Sequence, residues 1–243
     1  MLIITADDYG ITGKVSKGIR DSIEFGAVTC TSVMVNFVCY KDINLLVNLK
    51  KKTKCGIGLH LNLTQGNSLI TKKPFKEEEI QDLSFINCEI REQYRLFKDI
   101  FFDVDHINFH QDIHNDIKIM QEFLAMDDLK NTPVRFVNVL MKDILSINKR
   151  LIADRFVNVF PSTANSANFH FFLEKAMNDL LGNKDIITEW VVHPGYADNK
   201  LQKLAPDYCN RRELELALMC NTALLNFIRE NDIIMQTFSL PVT

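Results

Sequence analysis

The sequence predicts an α/β chain, folded as one domain over residues 1–243, with parallel strands inside and helices outside as a sheet or barrel. Three observations carry this. Short apolar runs alternate with longer segments of helical spacing. Aspartates and histidines recur where those apolar runs end. The 243 residues contain no repeat, low-complexity tract or Pro/Gly-rich linker, and α/β barrels of about 250 residues are common as single units.

The elements follow in order. Leu2-Ile3-Ile4-Thr5-Ala6 reads as a buried strand ended by Asp7-Asp8-Tyr9-Gly10, and Val15–Phe25 as a helix capped by Gly26. Thr31–Asn36 is the next strand, and Ile43–Leu49 the next helix. Cys55–Leu63 reads as a third strand running into a loop. The charged segment Lys76–Asp82 leads into a helix ending at Phe101. A strand His106–His110, a helix Ile117–Met126 and a strand Val134–Leu140 come next. Residues 141–185 give mixed signals apart from a helix over Phe171–Leu181. Trp190-Val191-Val192 ends a strand at the turn His193-Pro194-Gly195. One amphipathic helix over Arg211–Arg229 and a strand over Asp232–Phe238 complete the pattern.

Composition narrows the function. A net charge of −3 argues against nucleic acid, whose phosphates call for clustered Lys and Arg. The basic run Lys50-Lys51-Lys52-Thr53-Lys54 reads as a solvated helix end or loop. No apolar stretch approaches the roughly 20 residues of a membrane span. The opening residues lack the basic and apolar regions of a signal peptide, so a cytoplasmic protein is expected. The six cysteines form no CxxC pair and read as reduced, mostly buried thiols.

The strand ends hold the chemistry, as they do at the C-terminal edge of parallel sheets. Asp7 and Asp8 are adjacent carboxylates that repel unless a cation or partner offsets one of them. Either one binds a metal while the other acts as a base, or one caps the next helix and the other is solvated. His60 follows Gly58-Leu59, where the glycine permits close approach, and it reads as a structural residue or a ligand. On a strand, His106, Asn108 and His110 share one face, opposite Ile107 and Phe109. Three histidines within His106–His114 point to a site. His193, before Pro194-Gly195, projects from a strand end with a pKa range suited to a general acid.

Four motifs, in order and at family-like spacing, resemble the YdjC-like (ChbG-type) carbohydrate deacetylases. They are Ala6-Asp7-Asp8-Tyr9-Gly10, Gly58-Leu59-His60-Leu61-Asn62-Leu63-Thr64, His106 through His114, and His193-Pro194-Gly195-Tyr196. Arg135 and Met34-Val35-Asn36 are weaker echoes, and Asp112 stands where the family usually has histidine. The resemblance implies a (β/α) barrel-like deacetylase fold that removes N-acetyl groups from chitooligosaccharide-type amino sugars, and it suggests a homodimer. It makes Asp8, His60 and His110 the ligands of a divalent metal, usually magnesium in the family, although an Asp/His/His set suits zinc equally. It makes Asp7 the general base and His193 the general acid, with His114 and Arg135 contacting substrate or tuning Asp7. The alternatives are a hydrolase or isomerase of another small carbohydrate, and a carbohydrate-binding protein without activity.

Overall fold

The computed structural model describes residues 1–150, 153–161 and 163–239. Its centre is a parallel six-stranded sheet of β1 (Leu2–Tyr9), β2 (Cys30–Val33), β3 (Gly56–Leu61), β4 (Ile107–Phe109), β5 (Arg155–Asn158) and β6 (Thr188–Val192). The strand order is β4-β3-β2-β1-β6-β5. The chain winds from β1 toward one edge, then returns to fill the other side, so β1 lies at the switch point where such sheets open a crevice. β1, β3 and β6 are buried along their whole lengths, which is why they read as continuous apolar runs.

The sheet is strongly curled. Val134 bridges Ile107 at the β4 edge, yet Arg135 Nε donates to Glu189 Oε1 on β6 at 2.9 Å. A flat sheet would separate those positions by five strand spacings, roughly 24 Å. One arginine side chain can span that gap only if the edges close toward each other, so the concave face forms the inside of a partial barrel.

Helices cover the outside. α1 (Gly13–Phe25) is capped by Thr12, whose hydroxyl accepts from the Val15 amide, and it ends at Gly26 with φ 99°. α2 (Tyr40–Thr53) is longer than the sequence indicated, and Lys50, Lys51 and Lys52 occupy its last turn, where cations suit the helix dipole. The short α3 (Glu77–Gln81) leads into α4 (Leu83–Phe101), and α5 (Ile117–Leu124) packs on α4. α7 (Phe169–Leu181) agrees with its prediction, and α8 (Asn199–Leu204) was not foreseen. No helix among the described residues is long and apolar enough to cross a membrane.

Three expectations are corrected. The expected strand Val134–Leu140 keeps only the Val134 bridge; Asn138 then caps Met141 and starts α6 (Val139–Ile147). The single helix over Arg211–Arg229 is two, α9 (Cys209–Met219) and α10 (Thr222–Glu230), because the Asn221 side chain accepts from Ala223 and starts a new helix. The strand Asp232–Phe238 reduces to a bridge from Met235 to Leu2, beside β1 where β2 has not yet begun. β5, at the sheet edge and only half-buried, lies in the stretch the sequence left unread.

Two glycines set the backbone around the strand ends. Gly10 takes φ +104°, and a Cβ there would come 2.8 Å from Val38 Cβ, so the turn out of β1 needs a residue without a side chain. Gly18 on α1 lets the helix touch the turn after β6, where a Cβ would lie 2.7 Å from Gly195 Cα. Because the obstacle is backbone, Gly18→Ala is expected to destabilise the chain by about 1–3 kcal/mol despite alanine's better helix propensity. Urea denaturation measures this as a lower midpoint at unchanged slope.

Candidate active site

Successive residues of a strand point to opposite faces, yet Asp7 and Asp8 both turn into the concave side of the sheet. The β1–β2 register slips between Ala6 and Tyr9, and Asp8 adopts φ 70°. Such a bulge re-aims a side chain, at the cost of about 1–3 kcal/mol for a left-handed aspartate. Both aspartates are 3% exposed. They have almost separate partners.

Asp7 is surrounded by donors. Its Oδ1 accepts from Ser32 Oγ at 2.8 Å, Asn108 Nδ2 at 3.0 Å and Arg135 Nη2 at 3.0 Å. Its Oδ2 accepts from Arg135 Nη1 at 2.5 Å, which completes a bidentate pair. Arg135 also pairs with Glu189, whose Oε1 accepts from Thr5 Oγ1. Burial by itself raises the Asp7 carboxyl, but the Arg135 guanidinium outweighs it and holds Asp7 well below the usual carboxylate range.

Asp8 faces two imidazoles and one guanidinium. Its Oδ1 lies 3.1 Å from His60 Nε2 and 3.0 Å from His110 Nδ1, and its Oδ2 accepts from Arg212 Nη2. Burial opposes ionisation here too, and the Arg212 guanidinium overcomes it, so the carboxyl stays well below its ordinary value.

The tautomers of the two histidines follow from the wider network. Asp7 is ionised and can only accept, so Asn108 must turn Nδ2 to it and Oδ1 to His60 Nδ1, 2.6 Å away. His60 Nδ1 then carries the proton and Nε2 the lone pair. Gln65 donates Nε2 to the Leu204 carbonyl and turns Oε1 to His110 Nε2 at 3.2 Å. His110 in its neutral form therefore carries its proton on Nε2 and its lone pair on Nδ1. Two nitrogen lone pairs and a carboxylate oxygen, all within 4.8 Å of one another, converge on one point. Without a cation or an added proton they repel; the donor set is compatible with a divalent metal.

The site opens into a cavity of about 590 Å³ whose wall includes Asp7, Asp8, His60, His110, Arg135 and His193. His193 follows β6. Its backbone amide donates to Glu215 Oε2, and its Nδ1 lies 3.1 Å from Arg211 Nη2. Arg211 in turn donates Nε to Glu215 Oε1 at 2.7 Å. Burial first, then Arg211, pushes the His193 imidazole down to about 3.

His114 is not brought to the cavity. It is fully buried and stacked on Phe109 at 4.5 Å between centroids, with Phe109 between it and the opening. Substrate contact was one role expected for His114; its side chain does not line the cavity. Burial, then the charge of Arg135, pushes its imidazole down to about 3. Arg135 lines the cavity and pairs with both Asp7 and Glu189. Asp112 lies in the cavity wall, and it and Gln111 are consecutive left-handed residues, at φ 51° and 55°.

Sequence reasoning missed Gln65, Glu189, Arg211, Arg212 and Glu215. Glu189 had a legible signal: a carboxylate inside the apolar run Thr188–Val192 must have a buried partner. The α9 residues had none, since an Arg and a Glu four apart usually mark a solvated helix face.

Comparison with known proteins agrees with this architecture. A carbohydrate deacetylase of Thermoanaerobacter pseudethanolicus is 25% identical, with 98% of both chains covered. A chitooligosaccharide deacetylase of Proteus mirabilis is 27% identical over 98% of this chain and 97% of that one. A crystal structure from Enterococcus faecalis V583, described as a cellobiose-phosphate cleavage protein, has the same fold: TM-score 0.83 at 21% identity, covering 98% of this chain and 97% of that one. The sequence pattern of the family described as YdjC-like protein matches residues 1–230, and on that match the chain belongs to the YdjC-like family.

Proposed function

We propose that the chain is a metal-dependent hydrolase that removes N-acetyl groups from amino sugars, of the chitooligosaccharide class for which the Proteus mirabilis relative is named. One observation carries this reading. Two adjacent aspartates at one cavity have divided partners, Asp8 with two imidazoles besides Arg212 and Asp7 with proton donors alone.

Asp8, His60 and His110 are the residues that would hold the cation; their mixed N/O set suits zinc, and magnesium is the metal usually described for the family. When bound, a divalent ion lowers the pKa of water from about 15.7 toward about 7 and stabilises a developing oxyanion. The chain's own residues do the rest. Asp7 Oδ2, which accepts a single bond, keeps a lone pair for the proton of the attacking water. Ser32, Asn108 and Arg135 lock the Asp7 rotamer, so no reorganisation is needed when that proton moves. His193 stands in the same wall and offers Nε2 to the reacting amide. Tyr208 and Phe156 give the cavity aromatic faces against which a pyranose ring can pack.

The test is acetate release from N,N'-diacetylchitobiose by chelator-treated protein, with magnesium, zinc, cobalt or manganese returned one at a time. Release is expected only with metal, and more slowly from sugars bearing other acyl groups. Sugar binding without release at any metal would instead favour a carbohydrate-binding protein that kept the scaffold.

A further inference from the structure

The triangle of His193, Arg211 and Glu215 fixes what His193 can do. A guanidinium has donors and no acceptor, so the contact between Arg211 Nη2 and His193 Nδ1 at 3.1 Å requires Nδ1 to accept. The ring proton then sits on Nε2. A second proton at Nδ1 would meet the arginine donor head-on. Arg211 cannot turn aside cheaply, because Glu215 holds its Nε at 2.7 Å, and both residues are buried, 5% and 0% exposed. Glu215 also accepts from the His193 backbone amide, so one carboxylate positions both the ring and the arginine beside it. The charged groups around the ring are Arg211, Arg212 and Glu215 from α9, and Asp7 and Asp8 from β1. The two aspartates favour protonation, each less strongly than Arg211 opposes it.

Resting on the deacetylase reading above, we infer that His193 works as a neutral imidazole that donates Nε2–H to the oxygen of the scissile acyl group without giving up its proton, and that Arg211 and Glu215 are the positioning residues that hold it in that form. The general-acid role that the sequence suggested would need an imidazolium, whose Nδ1–H would face the Arg211 donor. The proton balance closes without it. As the water oxygen bonds to the acyl carbon and the carbon–nitrogen bond breaks, one water proton passes through Asp7 Oδ2 to the departing amine. A neutral imidazole used as a fixed donor at a developing oxyanion loses nothing to proton transfer and needs no pH-dependent loading.

The direct test is ¹⁵N NMR of the full-length chain labelled in its histidine rings, with zinc or magnesium bound, from about pH 5 to about pH 8, where free histidine titrates. The His193 signals are assigned by their loss in His193→Gln. The expected result is a protonated Nε2 and a bare Nδ1 throughout; a second proton arriving near the ordinary value of about 6.5 would overturn the inference. Arg211→Met should release the ring to titrate and mix its tautomers, with kcat lowered and KM little changed. An unchanged tautomer in a folded Arg211→Met chain would remove Arg211 from the positioning role. His193→Ala should lose about 10²–10³ in kcat, the cost of one oxyanion donor, and His193→Gln, which keeps an N–H, should recover part of it. Equal loss in both would point to proton transfer. The NMR result does not depend on turnover, so it stands or falls apart from the deacetylase assay.

Discussion

Asp7→Asn is expected to lose acetate release by at least the factor of about 10²–10⁴ that a positioned acid–base group supplies, while the chain still binds its cation. Asp7 makes no contact with His60 Nε2 or His110, so the three converging donors survive the substitution. The loss has a second source. An asparagine must place an NH₂ where the carboxylate now faces Ser32, Asn108 and both Arg135 nitrogens, all of them donors. Asp8→Ala should show the opposite split. It removes the oxygen to which both imidazoles turn, so cation binding fails, and it frees Arg212 from its buried partner. Calorimetric titration of each chelator-treated variant with zinc, run beside the acetate assay, separates the two. Retained binding in Asp8→Ala, or near-normal turnover in Asp7→Asn, would reverse the assignment.

Much of this was legible in the sequence, because burial on both faces writes β1, β3 and β6 as apolar runs, and because strand parity puts Asn108 on the His106 face. The errors share a physical cause. Val134–Leu140 is apolar enough for strand or helix, and one hydrogen bond from Met141 to Asn138 decides for helix. The α9–α10 break carries neither proline nor glycine, only Asn221 taking a capping geometry. In the site, position was readable and division of labour was not. That depends on a bulge between Ala6 and Tyr9, on the left-handed Asp8, and on second partners such as Gln65 and Glu189 that come from distant segments. Arg211 and Glu215 look like any i,i+4 surface pair until the fold buries them.

Arg135→Met should be the most destabilising single change at the site. Arg135 is 2% exposed and sits between two buried carboxylates, Asp7 and Glu189. Removing one member of a buried pair costs about 3–5 kcal/mol, because the stranded charge keeps its desolvation penalty. The deficit depends on pH, and its sign follows from Asp7. In the native chain the Asp7 pKa is depressed, so its contribution is fully present above the unfolded value of about 3.9 and is lost as pH falls through the lower folded value. Without Arg135, burial is left as the main influence and drives the folded pKa above the unfolded one. The variant's folded state then binds the extra proton, and its stability falls as pH rises through that window. The gap between variant and native chain should be smallest in strong acid, widen as pH rises from the native folded value through about 4 and beyond, and level off once Asp7 is ionised in the variant as well. Urea midpoints measured at several pH values give the curve directly. A gap independent of pH would mean that Arg135 serves packing alone, and that Asp7 is kept ionised by something other than the arginine beside it.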